Sequence, residues 1–403
     1  MPPLPRLRMD LDFMASPLPD HPGLLMRDPH RYSDATIIVP PPLVPVLELF
    51  DGTATELDVR RLLVEITGQF EVGETCRQLH EALSQAGFLH DEVYEGMREA
   101  RRREFAAAPV REAAHAGTAY PDDPEELRRK FDSYFDGASV EAADGLCGIA
   151  APHVSPDGGW ESYRDAYRAL SPSLAGRVFI VLGTSHFGAP DRFGLTRKNY
   201  RTPLGDARTE TEWVDWLASQ APGAVEMDDY CHATEHSIEF QVAFLQYVYG
   251  PDVRVLPVLA GSYARSILEG GRPEDNEDVR RFLGALGELN ARHTSELFWV
   301  LGVDMAHIGR RYGDPVPAVA YHNQMIEVSE RDKERIGRVV AGDAEGFWQR
   351  VQDRQDDLRW CGSSPFYTFL RAVPQARGEL VRYQHWQIDP HSVVSFAAMT
   401  FRS

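Results

Sequence analysis

Three short apolar runs, each ending in a glycine or proline and then a histidine, organise this chain. They lie at 148–153 (GIAAPH), 178–186 (VFIVLGTSH) and 298–307 (FWVLGVDMAH). An apolar run of this length that stops at glycine or proline is typical of a buried β-strand followed by a loop. The three histidines therefore follow strand ends. In open α/β sheets, the carboxyl ends of the strands form the ligand-binding edge.

Segments with apolar residues at helical spacing alternate with these strands. The pattern predicts strands at 148–152, 178–183, 253–259 and 297–303, and helices at 125–135, 160–170, 210–219, 235–249 and 277–289. A long loop is predicted from 187 through Tyr200, and the turn-rich segment 200–206 continues it. Such alternation indicates an α/β fold, with a mainly parallel sheet and helices on both faces. We assign this α/β domain to residues 117–403.

The first part of the chain has a different pattern. Residues 1–20 are rich in proline and predict a flexible N-terminus. A strand at 35–39 is followed by helical patterns at 43–50, 56–66 and 74–85, the second of them preceded by a predicted capping box of Thr53 and Glu56. These elements predict a small winged-helix domain over residues 21–92. A charged helix and a linker are predicted over residues 93–116.

The predicted winged-helix domain resembles the PqqD-like peptide-binding domains. The matching positions are Val44, Leu47, Leu49, Asp51, Gly52, Thr55 and the segment 83–89. The resemblance implies a domain that presents a peptide. A plain helical accessory domain is the open alternative. A DNA-reading domain is disfavoured, because Arg77 is the one formal positive charge in the third helix and a helix in the DNA groove needs more.

Composition narrows the function classes. The 42 basic and 61 acidic residues give a formal net charge of −19, which argues against a nucleic-acid partner. The four cysteines have no paired spacing, as expected in a reducing compartment. The N-terminus has no apolar signal region, and no apolar run approaches the roughly 20 residues that a membrane span needs. We therefore expect a soluble cytoplasmic protein that does not associate with membranes.

Candidate chemistry lies mainly at the predicted strand ends. His153, His186 and His307 would converge, because neighbouring strands lie only about 4.8 Å apart. Neutral imidazole is a ligand for iron, copper and zinc. Asp304 could orient an imidazole or cap a loop. Cys361 precedes a predicted helix at 366–372, where the helix dipole favours a thiolate, so it is a candidate metal ligand or redox-active residue. A lone histidine or cysteine is more often structural than functional, but three histidines at equivalent strand ends indicate a site.

A second motif, His232-Ala233-Thr234-Glu235-His236, matches the H-x-x-E-H pattern of zinc peptidases. That site requires both histidines on one face of a helix. Here the apolar helical pattern starts only near Ile238, so we expect the two histidines to straddle a loop-to-helix boundary. A zinc peptidase is therefore the less favoured hypothesis. His236 could still point into the same cleft as the other histidines.

The order of motifs along the chain resembles the Memo family, known as protein B of the AmmeMemoRadiSam system in bacteria. The motifs are APH, GTSH, YRTPLGD, EHSIEFQ, VLPVLAG, VDMAHIG, CGSSP and SVVSFAAM, and they extend from about Gly117 to the C-terminus. The resemblance implies the fold of class III extradiol dioxygenases, which hold Fe(II) with two histidines and a glutamate. It implies His153, His186 and Cys361 as metal ligands, with Cys361 in place of glutamate, and His307, His236 and Asp304 as catalytic residues.

The chain departs from the family pattern after each of the first two histidines. Val154 to Asp157 replace the usual A-G-Y, and Phe187 replaces a frequent histidine. We expect Asp157, Tyr200 and Glu235 to line a substrate pocket that differs from that of the relatives. Replacing a carboxylate by a thiolate favours copper, or iron at a changed potential, so the expected cofactor is Fe(II) or Cu, with zinc less favoured.

The resulting hypothesis is a metal-dependent redox enzyme related to the extradiol dioxygenases. Its expected substrate is a small molecule or a peptide, and a precursor peptide or a radical-SAM protein is an expected partner. The alternative is a non-catalytic protein that binds metal and peptide.

Overall fold

The computed structural model describes residues 2–137 and 145–403. The chain divides into two compact units, one up to Ala108 and one from Pro109 onward. Each unit has its own hydrophobic core.

The first unit combines a three-stranded antiparallel sheet, in the order β1–β2–β3, with helices. Its elements are β1 (Asp12–Ala15), β2 (Leu24–Arg27), β3 (Thr36–Val39), a 3-10 segment (Pro41–Leu49), α1 (Glu56–Thr67), α2 (Gly73–Gln85) and α3 (Glu92–Ala107). All three strands precede the helices, whereas the sequence predicts a single strand. The resemblance to PqqD-like domains stays a prediction.

The expectation of a flexible N-terminus is wrong. Leu4, Leu7 and Leu11 are buried in the core of the first unit. Isolated bridges also join Pro3 to Thr55 and Leu7 to Leu89. The prolines of this segment exclude regular secondary structure over much of its length. They do not prevent regularly spaced leucines from packing, which is what fixes the segment.

The predicted capping box at the start of α1 is also displaced. Thr53 bonds to the carboxylate of Asp51, with its backbone N–H 2.7 Å from Oδ1. The helix is instead capped by Thr55, whose backbone N–H donates to Asp58 Oδ2 at 2.9 Å. Both threonines are followed three residues later by an acidic residue, so the sequence pattern alone does not choose between them.

The second unit alternates strands and helices over most of its length. Its elements are β4 (Val110–Arg111), α4 (Pro124–Phe135), β5 (Leu146–Ala151), α5 (Pro156–Tyr167), β6 (Val178–Thr184), β7 (Phe193–Leu195), β8 (Asn199–Thr202), β9 (Gly205–Thr209), α6 (Thr211–Gln220), β10 (Val225–Glu226), α7 (Glu239–Tyr249), β11 (Arg254–Ala260), α8 (Ala264–Glu269), α9 (Glu277–Arg292), β12 (Leu297–Gly302), β13 (His307–Gly309), α10 (Gln324–Val340), α11 (Ala344–Gln352), α12 (Ser363–Ala372), β14 (Arg377–Asp389) and β15 (Ser392–Arg402).

One large sheet carries the strands of this unit. Its main path runs β13–β15–β5–β12–β6–β11–β9–β8–β4, and the central strands β5, β12, β6 and β11 are parallel. The C-terminal strand β15 adds antiparallel to β5, and β13 and β14 pair antiparallel with β15. The mainly parallel α/β sheet that the sequence predicts is therefore confirmed, with antiparallel strands added at its edges.

Both faces of the sheet are covered, as the strand sequences require. In the fully buried strand β6, Phe179 and Val181 face one core cluster, while Ile180 and Leu182 face the other. Helices α4, α5 and α7 pack in the first cluster, and α6, α9, α11 and α12 pack in the second. A strand with apolar residues on both sides needs this two-layer cover, because successive side chains point to opposite faces.

The main departure from the predicted elements lies between 187 and 209. The predicted loop contains β7 and then the hairpin of β8 and β9, whose turn is Pro203–Leu204. Among the residues that the structure describes, none lies in a helix long and apolar enough to cross a membrane.

Candidate metal centre

Strand β12 lies between β5 and β6, and the carboxyl ends of β5 and β6 bring two of the three predicted histidines together. His153 lies two residues beyond β5, and His186 lies two residues beyond β6. The ring centroids of these two histidines are 5.2 Å apart. The sequence pattern of strand, small residue and histidine therefore predicts this convergence correctly.

His153 is buried and held in one tautomer. Its side chain is 2% exposed, and its Nδ1–H donates to the carbonyl of Gly302 at 2.9 Å. Nε2 is consequently the unprotonated nitrogen, and it faces Cys361 Sγ at 3.2 Å. Burial lowers the pKa of His153 to about 3, which keeps the ring neutral as a metal ligand must be.

His186 is oriented by Glu235. The carboxylate accepts from His186 Nδ1 at 3.0 and 3.1 Å and from the His186 backbone N–H at 2.9 Å. Burial alone would lower the pKa of His186, but the charge of Glu235 and this hydrogen bond outweigh burial and raise it. Glu235 is fully buried and also accepts the backbone N–H groups of His236 and Ser237. It therefore fixes the imidazole as an outer-shell carboxylate does in many metal sites, a role different from the expected substrate contact.

Two glycines at strand ends make room for the segment that carries Glu235. A Cβ on Gly183, in β6, would lie 2.4 Å from Ser237 Oγ. A Cβ on Gly302, in β12, would lie 2.1 Å from the Ser237 carbonyl oxygen. Any side chain at these positions would push the 235–238 segment away from the strand ends.

His236 joins the cleft between the other two histidines. Its ring stacks on His186 with a centroid distance of 4.9 Å and lies 5.1 Å from the ring of His153. Among the described residues, two compact groups could hold a metal ion: His153 with His186 and His236, and His153 with Asp304 and Cys361. In each group the ligand atoms lie within 4.8 Å of one another. His153 is common to both groups, so the arrangement is centred on it.

Cys361 lies just before α12, but its environment differs from the one expected. Burial and the nearby charge of Asp304 raise the pKa of the thiol well above its usual range, so the helix dipole does not dominate. The Sγ atom lies 3.2 Å from His153 Nε2 and 3.6 Å from the Asp304 carbonyl oxygen. The metal-free residue is therefore a thiol that hydrogen-bonds to His153, and metal binding would release its proton.

Asp304 lies in the loop that follows β12, and His307 is the first residue of β13. Asp304 is 2% exposed and accepts the backbone N–H of His153 at 2.8 Å, so it caps the loop that carries the first histidine. Burial raises the pKa of Asp304 to about 6. His307 donates from Nδ1 to the carbonyl of Met305 at 2.9 Å, which leaves Nε2 unprotonated. Burial lowers the pKa of His307 to about 4.

Two residues expected to line a pocket do not join the cluster. The carboxylate of Asp157 is exposed and bonds to Lys130 and Tyr134 on α4. Tyr200 is fully buried in β8, and its hydroxyl bonds to His232 Nδ1 at 2.6 Å. Asp157 therefore forms a surface ion pair, and Tyr200 is a core residue. Position in the sequence alone does not reveal which way these side chains point.

The zinc-peptidase arrangement is not formed. A 3-10 turn (Asp229–His232) ends at His232, and α7 begins only at Glu239, so the two motif histidines share no helix face. His232 is fully buried against Tyr200, while His236 lies in the cleft. The predicted loop-to-helix boundary is confirmed.

A buried ion pair that the sequence analysis missed supports the cleft loop. Arg111 and Glu239 form a salt bridge with both side chains fully buried. Arg111 also donates to the carbonyls of His232 and Glu235, at 2.8 and 2.6 Å. Arg111 lies in the segment predicted to be a linker, so that prediction is wrong for this residue. The sequence feature that indicates this ion pair is Glu239, an acidic residue in the first turn of the otherwise apolar helix α7.

The fold and the cleft together define an α/β protein with a histidine-rich site at the carboxyl edge of its sheet. The family model described as Memo-like protein matches residues 111–400. This chain belongs to the Memo-like family. The match includes every residue of the cluster described above.

Relatives extend the comparison. A MEMO1 family protein of Aquifex aeolicus is 27% identical over 381 residues, which cover 94% of this chain and 95% of that protein. A MEMO1 family protein of Methanopyrus kandleri is 28% identical over 307 residues, covering 72% of this chain and 99% of the relative. A solved structure of an uncharacterised Escherichia coli K12 protein covers 63% of this chain and 99% of that chain, with 13% identity and a TM-score of 0.39.

Proposed function

We propose that this protein is a metal-dependent redox enzyme whose metal is held by His153, His186 and Cys361, with His236 as a further donor. The observation that supports the proposal is the orientation of the two imidazoles. His153 donates from Nδ1 to Gly302, and His186 donates from Nδ1 to Glu235, so Nε2 of each ring is the nitrogen available to a metal. Nε2 of His153 also lies 3.2 Å from the Cys361 thiol, and imidazole nitrogens together with a thiolate form a donor set that suits copper or iron.

The soft thiolate favours Cu(I) or iron over zinc as the resident metal. When bound, such a metal supplies the electron transfer and oxygen chemistry that side chains lack. His307 would act as the general base: its Nδ1 donates to Met305, so Nε2 can accept a proton. Burial lowers its pKa to about 4, so the ring is neutral at physiological pH, although this pKa lies below the value near the working pH that suits a general base.

The substrate class we propose is a small molecule or peptide with an acidic hydroxyl or thiol that His307 can deprotonate. Phe187 and Tyr312 lie beside this cleft, with Tyr312 edge-on to His307 at 5.0 Å and Phe187 edge-on to His186 at 6.3 Å. Aromatic side chains at both histidines favour a substrate with an apolar or aromatic portion.

The test is metal binding by the anaerobically purified full-length chain. Fe(II) and Cu(I) are titrated into the wild type and into His153→Ala, His186→Ala, Cys361→Ala and His236→Ala. We expect His153→Ala to lose binding most completely, because both ligand groups contain this residue. His232→Ala is the matched control and should bind metal as the wild type does. Unchanged metal content in all four cleft variants would refute the metal site.

Oxygen consumption then separates an enzyme from a binding protein. The metal-loaded wild type is mixed with catechols and with thiol-containing or tyrosine-containing peptides under air. We expect oxygen uptake that His307→Ala reduces without changing metal content. Metal-loaded protein that consumes no oxygen with any of these classes would favour the non-catalytic alternative.

A further inference from the structure

The segment that delivers Cys361 to the cleft has an unusual backbone. We call residues 353–361 the strap. Within it Arg354, Gln355, Asp356 and Arg359 have φ values of 58°, 54°, 53° and 54°. None of these is glycine, and the left-handed conformation is costly for residues with a Cβ. The strap therefore keeps this conformation only because surrounding contacts hold it.

Those contacts come mainly from one face of α10. Arg335 bonds to Asp356 Oδ1 at 2.5 Å, and Arg331 bonds to Asp357 Oδ2 at 3.0 Å. Asp332 lies between these two arginines on α10, is fully buried, and accepts from the indole Nε1–H of Trp360 at 2.6 Å. Trp360 directly precedes Cys361, so this is the last side-chain anchor before the thiol.

The same carboxylate also fixes the other loop of the cleft. Ser395, on β15, donates to Asp332 Oδ2 at 2.6 Å, and its Oγ accepts the backbone N–H of Ala306 at 2.9 Å. Ala306 lies between Asp304 and His307. One buried acid therefore links the strap and the 303–307 loop, which are also joined directly by the His307 N–H to the Leu358 carbonyl at 2.9 Å.

We propose that Asp332 is a positioning residue that sets where Cys361 lies relative to His153. The inference rests on the proposed metal site, but Asp332 itself touches none of the ligands. Without the hydrogen bond from Trp360, the strap would relax from its left-handed conformation. The thiol would then leave the position 3.2 Å from His153 Nε2.

A matched pair of variants isolates this effect. Trp360→Phe removes the bond from the strap to Asp332 and keeps an aromatic ring in the core. Tyr383→Phe removes a bond to the same carboxylate, 2.7 Å long, from strand β14, which carries no cleft residue. Asp332→Asn retains one acceptor oxygen for Trp360, so it should keep much of the metal affinity that Asp332→Ala loses.

The first measurement is Co²⁺ titration of the full-length chain, read by the absorption of the thiolate–metal charge-transfer band. Outer-shell substitutions typically weaken metal binding about 10–100-fold. We expect a loss in this range, with a weaker band per bound ion, for Trp360→Phe. Tyr383→Phe should stay within about threefold of the wild type. Equal behaviour of the two variants, or wild-type binding by Trp360→Phe, would overturn the inference.

The second measurement needs no metal. Alkylation of Cys361 by iodoacetamide is followed by mass spectrometry at that residue in the metal-free variants. We expect faster alkylation in Trp360→Phe than in Tyr383→Phe or the wild type, because the released strap exposes the thiol. Unchanged alkylation would contradict the positioning role. If the wild type binds none of Co²⁺, Fe(II) and Cu(I) but the variants still differ in alkylation, the proposed function is refuted and the positioning role of Asp332 stands.

Discussion

Glu235→Gln tests how the cleft prepares His186 for a metal. The carboxylate accepts three backbone N–H groups, from His186, His236 and Ser237, and also the Nδ1–H of His186. Oε2 faces the first backbone group, while Oε1 faces the other two. An amide has only one acceptor oxygen, so in either orientation its NH₂ group faces at least one backbone donor.

The expected loss of stability follows from the number of backbone donors that lose their acceptor. One buried donor left without an acceptor costs about 1–3 kcal/mol of the free energy of unfolding. Loss of the orienting carboxylate weakens metal affinity by about 10–100-fold, which is about 1.4–2.7 kcal/mol. Because Gln can still accept from His186 Nδ1, we expect the effect on metal affinity near the lower end and a larger one for Glu235→Ala.

The assay combines urea unfolding of the metal-free protein with competitive titration of Cu(I) or Co²⁺. Tyr263→Phe is the control for lost stability, because it removes a buried hydrogen bond to Thr368 of 2.6 Å away from the histidines. We expect both variants to lose stability but only Glu235→Gln to lose metal affinity. Equal metal affinity in Glu235→Gln and the wild type would refute the orienting role of this carboxylate.

Three further results are expected. Arg111→Leu leaves the carboxylate of Glu239 buried without its partner, so urea unfolding should show a loss of about 3–5 kcal/mol, and an unchanged midpoint would contradict this. Gly362→Ala places a Cβ 2.7 Å from the Asp304 carbonyl oxygen, so thermal unfolding should occur at a lower Tm, unlike Gly284→Ala, where a Cβ meets nothing within 4 Å. Burial lowers the pKa of His385 from 6.5 to about 4, so as the pH falls this histidine is protonated in the unfolded state before it is protonated in the folded state. Stability should therefore decrease as the pH falls from 6.5 to 4, by at most about 3 kcal/mol. A pH series of urea midpoints should show a shallower slope for His385→Gln, and an unchanged slope would contradict the assignment.

Much of the candidate site could be predicted from local sequence because it depends on strand ends. An apolar run followed by a small residue and a histidine places that histidine at the sheet edge in any parallel α/β fold. His153, His186 and their proximity follow from this rule. His236 was a weaker prediction, because its motif also matched a helical zinc site that the boundary at Glu239 excludes.

The roles of the supporting residues could not be predicted in this way. Glu235 and Asp157 are both acidic residues close to a motif histidine in sequence. Yet one orients His186 and the other pairs with Lys130 on the surface. Their roles depend on which side chains approach from elements 27 to 49 residues away along the chain. Periodicity carries no information about such partners.

The sequence by itself determined the α/β architecture, the two-sided burial of the central strands and the edge at which the histidines gather. These properties depend on the alternation of side chains along a strand, which is a local property of the chain. Only the tertiary structure decided that Glu235, Arg111 and Asp332 hold the cleft together. Each is a buried charged group stabilised by specific partners distant in sequence, and burial of charge is favourable only where such partners meet it.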